Sequence, residues 1–145
     1  MGSTLHRFTR VEFSRFKAFK TFALDLKHFN ILVGPNNSGK STILVAFRIL
    51  AAAMRKANTF KPTVVSGPSG KQHGYDVDLS AISVAEENIY FNYDDSEAAS
   101  VKFHLSNKHA LELYFPQRGM CSLLADTGGR PAMTAATFRS HFNCP

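Results

Sequence analysis

One segment of this sequence combines residue types that bind phosphate. It runs Gly34, Pro35, Asn36, Asn37, Ser38, Gly39, Lys40, Ser41 and Thr42, and it matches the pattern GxxxxGK[ST]. Glycine lets backbone N–H groups curl around a phosphate without a side-chain clash, and such a loop opens a helix whose positive end faces the anion. The segment therefore predicts a phosphate-binding loop for a nucleotide.

Three side chains at the end of the segment have separate expected tasks. Lys40 reaches the β and γ phosphates, Ser41 offers its hydroxyl to Mg²⁺, and Thr42 adds a donor near the α phosphate. The pattern thus predicts ATP and Mg²⁺ as ligands, with Ser41 as the metal ligand. Because no base-reading element is identifiable, the sequence leaves the choice between ATP and GTP open.

The residues on both sides of the loop have the periodicity that such a loop requires. Residues 29–33 are almost continuously apolar, which is typical of a strand buried on both faces. After the loop, residues 43, 47, 50 and 54 are apolar at helical spacing, and Arg48 is the one charged residue from 43 to 54. We expect a helix over residues 41–56 that is buried on nearly all sides.

Shorter patterns predict strands elsewhere in the chain. Residues 8–13 and 22–26 alternate and predict an antiparallel hairpin, joined by the basic and aromatic residues 14–20. Residues 89–93, 101–105 and 110–115 predict a three-stranded antiparallel meander, and residues 121–125 a fourth strand. Residues 58–80 hold two prolines and three glycines with little periodicity and predict a long exposed loop. Residues 135–145 predict a short helix.

Two other stretches imitate nucleotide-site motifs. Residues 66–71, SGPSGK, resemble a shortened phosphate loop, but no apolar strand precedes them and no helical pattern follows. Residues 122–126, SLLAD, resemble the apolar run that ends in a Mg²⁺-binding aspartate, but Thr127 stands where a catalytic glutamate often follows. The first is interpreted as part of the long exposed loop over residues 58–80, and a strand and turn is the favoured interpretation of the second.

Charge is distributed unevenly along the chain. Residues 1–61 hold 11 Lys and Arg against 2 acids, whereas residues 62–145 hold 6 against 9. A basic front half suits nucleotide phosphates, nucleic acid or an acidic partner. Two alternatives therefore stay open beside nucleotide binding. The first is a basic nucleic-acid-binding module with a vestigial nucleotide site, and the second is a structural fragment completed by another chain.

Other features of the sequence exclude several protein classes. No apolar run approaches the roughly 20 residues that span a bilayer, and the N-terminus lacks the apolar core of a secretion signal. A cytoplasmic protein without a membrane partner is the expectation. Cys121 and Cys144 lack the spacing of a zinc site or a disulfide framework.

Residues 11–19, VEFSRFKAF, followed by NILV at 30–33 and GPNNSGKST at 34–42, resemble the start of the SMC-like and RecF-like ABC ATPases. Among these, the sequence is most similar to the OLD-type ATPases of bacterial defence, which belong to the AAA group. These families open with a hairpin that carries an F-[RK]-x-F element, and residues 16–19, FKAF, fill it. The resemblance covers roughly residues 8–56.

The resemblance implies an α/β fold, namely the N-terminal lobe of an ABC-like P-loop NTPase with strand, P-loop, helix and an antiparallel β meander. It divides residues 1–145 into a front part (1–57), a flexible loop (58–80) and a β subdomain with the start of a helix (81–145). It also implies that Lys17 or Arg15 approaches the nucleotide beside the loop.

The function implied is that of the ATP-binding portion of an ABC-type ATPase in DNA metabolism or phage defence. Its expected partners are ATP, DNA, and either a second copy in a homodimer or a C-terminal ATPase or nuclease region. The family's signature motif, its Walker B aspartate with a catalytic glutamate, and its switch histidine are expected further along. The chain therefore resembles a truncated member that binds ATP and hydrolyses little of it.

Overall fold

A computed structural model of the chain describes residues 7–26, 40–79 and 89–126. In these ranges one sheet of seven strands packs against one α-helix, and every strand pair is antiparallel. The strands are β1 (Phe8–Phe16), β2 (Phe19–Asp25), β3 (Thr63–Gly67), β4 (Gly70–Asp76), β5 (Ala99–Leu105), β6 (Ala110–Phe115) and β7 (Ser122–Asp126), and α1 is Lys40–Ala57. Their order in the sheet is β2-β1-β5-β6-β7-β4-β3.

The predicted front hairpin is confirmed, and β1 contains two irregularities that simple alternation does not show. A register shift between Phe8 and Arg10 lets both Phe8 and Val11 pack on the core side. Further along, Phe13 and Phe16 are both buried although they are three residues apart. The left-handed backbone of Arg15, with φ 52°, separates them and explains the change of phase.

The prediction of a long exposed loop over residues 58–80 is wrong for the part that forms β3 and β4. These strands make a hairpin with Pro68 and Ser69 as its two-residue turn, and β4 pairs with β7. The glycines that suggested a loop have specific backbone tasks in this hairpin. Gly70 has φ 110°, which favours glycine, and Gly74 lies against the backbone of β7.

The predicted meander is confirmed for β5, β6 and β7, but not for residues 89–93. Residues Phe91–Tyr93 form a 3₁₀ turn in which Asn92 has φ 55°, and Tyr90 makes a single bridge to Phe16. Because β5 also pairs with β1, the front part and the meander form one continuous sheet.

The predicted helix is confirmed as α1, but its burial differs from the prediction. Six apolar residues on one side are buried, namely Ile43, Ala46, Ile49, Leu50, Ala53 and Ala57. On the other side Leu44 is 52% exposed, and Arg48 and Ala51 are also exposed. In the described part of the chain, α1 is therefore an amphipathic helix on one face of the sheet rather than a helix enclosed on all sides.

The two faces of the sheet differ in chemistry. The face toward α1 carries the buried side chains, among them Phe13, Val101, Phe103, Leu113 and Leu123. On the opposite face, a cross-strand row places Glu12 beside Lys102 and Lys102 beside Glu112. The strand predicted over residues 29–33, loop residues 34–39 and the helix predicted over residues 135–145 lie outside the described residues.

The close approach at Gly74 gives a stability prediction. A Cβ atom there would lie 2.6 Å from the carbonyl oxygen of Leu123 and 2.8 Å from Val65 Cγ2, so Gly74→Ala forces backbone to move. We expect a loss of about 1–3 kcal/mol in the free energy of unfolding. The matched control is Gly67→Ala in the same hairpin, where the added atom meets the mobile end of the exposed Gln72 side chain. Urea denaturation should show a clearly lower midpoint for Gly74→Ala alone, and equal midpoints would contradict the packing described.

Candidate functional site

The end of the phosphate-binding segment coincides with the beginning of α1. Lys40 and Ser41 are the first two residues of the helix, and Thr42 follows with 2% of its surface exposed. The first turn contains no acidic side chain, whereas Arg55 and Lys56 occupy the last turn. The positive end of the helix dipole is therefore not neutralised by a carboxylate within its own first turn, which suits an anion. Gly34 to Gly39 lie outside the described residues.

Aromatic packing holds the first half of α1 on the sheet. The Phe47 ring lies edge-on to Phe8, with centroids 5.6 Å apart, and edge-on to Phe103 at 5.2 Å. Phe8 and Phe103 also contact each other at 5.9 Å. Such aromatic pairs contribute roughly 0.5–1.5 kcal/mol each beyond the area they bury. The triad fixes where α1 starts relative to β1 and β5.

The last turn of α1 is anchored on a different strand. Lys56 Nζ donates a hydrogen bond to the backbone carbonyl of Asp76, the last residue of β4. Each strand from β1 through β5, β6 and β7 to β4 is antiparallel to the next, so β4 runs in the same direction as β1. The C-terminal ends of β4 and β1 therefore lie on the same side of the sheet, which we call the far edge. The helix thus lies by the start of β1 at Phe47 and by the end of β4 at Lys56.

Lys17 lies at that far edge, in the two-residue turn between β1 and β2. Its φ is 50°, its backbone N–H donates to the carbonyl of Ile89 at 2.7 Å, and burial lowers the pKa of its ammonium group. Lys17 as a nucleotide contact stays a prediction.

Arg15, the other basic residue expected near the nucleotide, is engaged by acids. Its Nη2 lies 3.2 Å from Asp94 Oδ2, its Nε lies 3.0 Å from Glu97 Oε2, and its side chain is 20% exposed. The Nε–H is not aligned for a hydrogen bond with Glu97, so their contact is an ion pair.

Asp94 is itself held in place by its neighbours. Its Oδ1 accepts hydrogen bonds from the backbone N–H of Ser96 at 3.0 Å and from the Ser96 hydroxyl at 2.6 Å. These bonds, and then the charge of Arg15, lower the pKa of the Asp94 carboxyl. The sequence indicated a turn here, but the pairing with Arg15 crosses 79 positions and has no local signal.

The second imitation motif forms the strand that the sequence favoured, whereas the first belongs to a hairpin and not to a long exposed loop. Ser66 to Lys71 surround the β3–β4 turn, where Gly67 pairs with Gly70 and Lys71 Nζ lies 3.4 Å from Ser66 Oγ. Ser122 to Asp126 form β7, an inner strand between β6 and β4. Neither stretch forms a phosphate loop or a strand parallel to a described neighbour.

A cluster of charged residues lies on the outer face of the sheet, and Asp126 is the one member that the sequence had singled out. A cavity of about 270 Å³ between the β3–β4 turn and this face is lined by Gln72, Lys102, Glu112 and Asp126, with Leu124 among its apolar residues. Burial raises the pKa of Glu112, Lys102 opposes that shift, and Asp126 adds to it.

Glu12, on the other side of Lys102, has the opposite shift. Burial alone would raise its pKa, but the hydrogen bond and charge of His104 and those of Arg10 lower it overall. His104 Nε2 lies 2.7 Å from Glu12 Oε1, and Arg10 Nη1 lies 2.6 Å from Asp25 Oδ1. Two glutamates that flank one lysine are thus in electrostatically different environments.

Neither metal-ligand clusters nor spanning helices are found in the described ranges. Within residues 7–26, 40–79 and 89–126, no group of three or more His, Cys, Asp or Glu side chains is arranged to hold a metal ion. The one helix in those ranges, α1, is not apolar enough over its length to cross a membrane.

Comparison with known proteins gives one match. A family model described as an AAA ATPase domain matches residues 9–119, which is well over half of the chain. No curated protein and no solved structure matches it. The matched range includes the phosphate-binding segment, α1, the strands from β2 to β6 and all of β1 except Phe8.

The two flanking glutamates make opposite contributions to stability as pH changes. The pKa of Glu112 is raised on folding, so its charged form is disfavoured, and this penalty is absent below the unfolded value of about 4.3 and develops as pH rises through the folded value. Glu112→Gln should therefore stabilise the protein at pH 8 and change little near pH 3.5.

The pKa of Glu12 is lowered, so its contribution to stability is present above the unfolded value and is lost as pH falls through the folded value. Glu12→Gln is the matched control and should destabilise the protein at pH 8. Urea midpoints measured from pH 3.5 to 8 test both variants, and shifts of the same sign would contradict the assigned environments.

Proposed function

Because the chain belongs to the AAA ATPase domain family, we propose that it binds Mg·ATP at the segment from Gly34 to Thr42. The observation that carries this proposal is the coincidence of the GK[ST] residues with the start of α1. A phosphate placed there meets backbone N–H groups that have no partner within the helix and the positive end of the helix dipole. Lys40 supplies the compensating charge for the β and γ phosphates.

The first turn of α1 also fits a magnesium ion bound together with phosphate. Mg²⁺ in such sites keeps several waters and takes most of its other ligands from the nucleotide, so a single protein hydroxyl is sufficient. Ser41, in that first turn, is the residue we assign to this contact. When bound, Mg²⁺ neutralises charge on the β and γ phosphates.

The proposal concerns the binding of ATP. Hydrolysis is expected to depend on residues outside the described part of the chain. Hydrolysis requires a group that positions the attacking water as well as a phosphate site. Asp126, the residue that imitates a Walker B aspartate, ends an inner strand of an antiparallel sheet and lines the outer-face cavity. We expect the chain to hydrolyse ATP slowly, and we propose that it takes part in ABC-type work in DNA metabolism or phage defence.

The contacts of the basic residues argue against the alternative function, a basic module that binds nucleic acid. Arg10 pairs with Glu12 and Asp25, and Arg15 pairs with Asp94 and Glu97. These two cations of the basic front half are thereby largely neutralised within the protein. Any duplex binding should consequently be weak and should fall steeply with salt.

The decisive experiment compares two lysines that each follow a glycine. Lys40→Ala should weaken Mg·ATP binding at least about tenfold in a calorimetric titration, because the charge facing the phosphates is lost. Lys71→Ala, in the imitation motif on the β3–β4 turn, is the matched control and should leave the affinity unchanged. At ATP concentrations about 100-fold above Kd, the unaltered protein should gain roughly 2.7 kcal/mol of stability.

Binding that survives Lys40→Ala unchanged, or that is lost equally in Lys71→Ala, would refute this site. Omitting Mg²⁺ should weaken the affinity as well, and Ser41→Ala should reduce the difference between the affinities measured with and without the metal. The same titration with GTP decides the base preference that the sequence leaves open.

A further inference from the structure

The β3–β4 hairpin bends away from its neighbouring strand and folds over the outer face of the sheet. β4 pairs with β7 through its last two residues, Tyr75 and Asp76. Just before them lies Gly74, where a Cβ atom would come within 2.8 Å of Val65 Cγ2 and 2.9 Å of Leu124 Cδ2. The hairpin therefore approaches the sheet at this glycine, and its turn lies above the neighbouring strands.

A small apolar cluster lies beneath the hairpin. Val65, Ala110 and Leu124 are buried, yet none of them belongs to the core that packs against α1. Leu124 is the cross-strand partner of Glu112, so the two side chains share the outer face. The hairpin thus covers part of this face, and the cavity of about 270 Å³ lies between its turn and the sheet.

The wall of this cavity carries charges of both signs that do not pair with each other. Lys102 and Glu112 are cross-strand neighbours that line the cavity. Within the described part of the chain, neither side chain makes a hydrogen bond or an ion pair. A partly buried carboxylate is stabilised by a hydrogen-bond donor, and an ammonium group by an acceptor. A ligand that supplies both groups would therefore be complementary to this wall.

The lining residues discriminate between classes of small molecule. Glu112 and Asp126 repel a simple anion, while Lys102 repels a simple cation. A zwitterion satisfies both signs, because the Cβ atoms of cross-strand neighbours are roughly 4.5–5.5 Å apart, which a compact head group can bridge. Pro68 and Leu124 add apolar surface for an aliphatic side chain. The cavity is slightly smaller than the roughly 300–1,000 Å³ of pockets for drug-sized ligands, which suits a molecule of amino-acid size.

We propose that the cavity under the β3–β4 hairpin binds a free α-amino acid with an aliphatic side chain. Its carboxylate lies at Lys102, its ammonium group lies at Glu112 and Asp126, and its side chain lies against Leu124 and Pro68. The cavity is on the face of the sheet opposite α1, so this proposal does not rest on the proposed ATP site.

The test titrates L-leucine into the full chain at pH 8 and follows backbone amides by nuclear magnetic resonance. We expect saturable shifts at Ser69 and Gln72 in the hairpin and at Glu112 and Asp126 in the sheet. The amide of Leu24 should not move, because β2 is at the other edge of the sheet.

Two analogues of L-leucine each lack one charge. 3-Methylbutylammonium has no carboxylate and should bind at least about tenfold more weakly, because the interaction with Lys102 is lost. 4-Methylpentanoate has no ammonium group and should not bind, since Glu112 and Asp126 repel its charge.

Three variants assign the charges of the ligand to the wall. Glu112→Gln should abolish binding of L-leucine, and unfolding cannot explain this loss because the substitution is expected to stabilise the protein at pH 8. Lys102→Met should weaken L-leucine at least about tenfold without weakening 3-methylbutylammonium. Glu12→Gln is the matched control, because Glu12 flanks Lys102 on the other side and does not line the cavity. It should change the affinity less than about twofold.

Several results would overturn this site. They are an absence of saturable shifts with L-leucine, equal affinities for L-leucine and 3-methylbutylammonium, and binding that persists in Glu112→Gln. Equal losses of both ligands in Lys102→Met, or a loss in Glu12→Gln as large as in Glu112→Gln, would also overturn it. Failure of ATP binding at Lys40 would leave these readouts unaffected, so the two proposals can fail independently.

Discussion

The packing of Phe47 against Phe8 and Phe103 is the interaction on which the rest of this structure depends. Most of the stability of a helix in a protein comes from tertiary packing of its apolar face, so α1 needs tertiary contacts to persist. The triad supplies them where α1, β1 and β5 meet. It thereby fixes the position of the helix start, and with it the site where phosphate is proposed to bind. The proposed phosphate site thus depends on aromatic packing on the inner face of the sheet.

Periodicity predicted most elements because each of them is buried on one side. Alternation identified β1, β2, β5, β6 and β7, and helical spacing identified α1. It failed for β3 and β4, where glycine and proline suggested a loop. In that hairpin, glycine is needed because Gly74 approaches the backbone of Leu123 too closely for a side chain. Composition alone cannot distinguish glycine that permits disorder from glycine that permits close packing.

The candidate site could be predicted only as far as its chemistry is local in sequence. A continuous pattern from Gly34 to Thr42 identifies the phosphate segment, and the start of α1 at Lys40 agrees with it. The role of Arg15 could not be predicted in this way, because its partners Asp94 and Glu97 are about 80 positions away. The alternating pattern of residues 89–93 suggested a strand, but the left-handed Asn92 ends any extended run.

The two ends of β1 have different stabilities, and this difference limits how they can influence each other. At one end Phe8 belongs to the aromatic triad, while at the other Arg15 is held by exposed carboxylates. Segments held by few buried contacts open at lower free energy than the core does. Between the ends, β1 is paired on both sides, and Val11 and Phe13 are almost fully buried. Because a close-packed core does not deform gradually, we expect local opening around Arg15 to leave the packing of Phe8 in place.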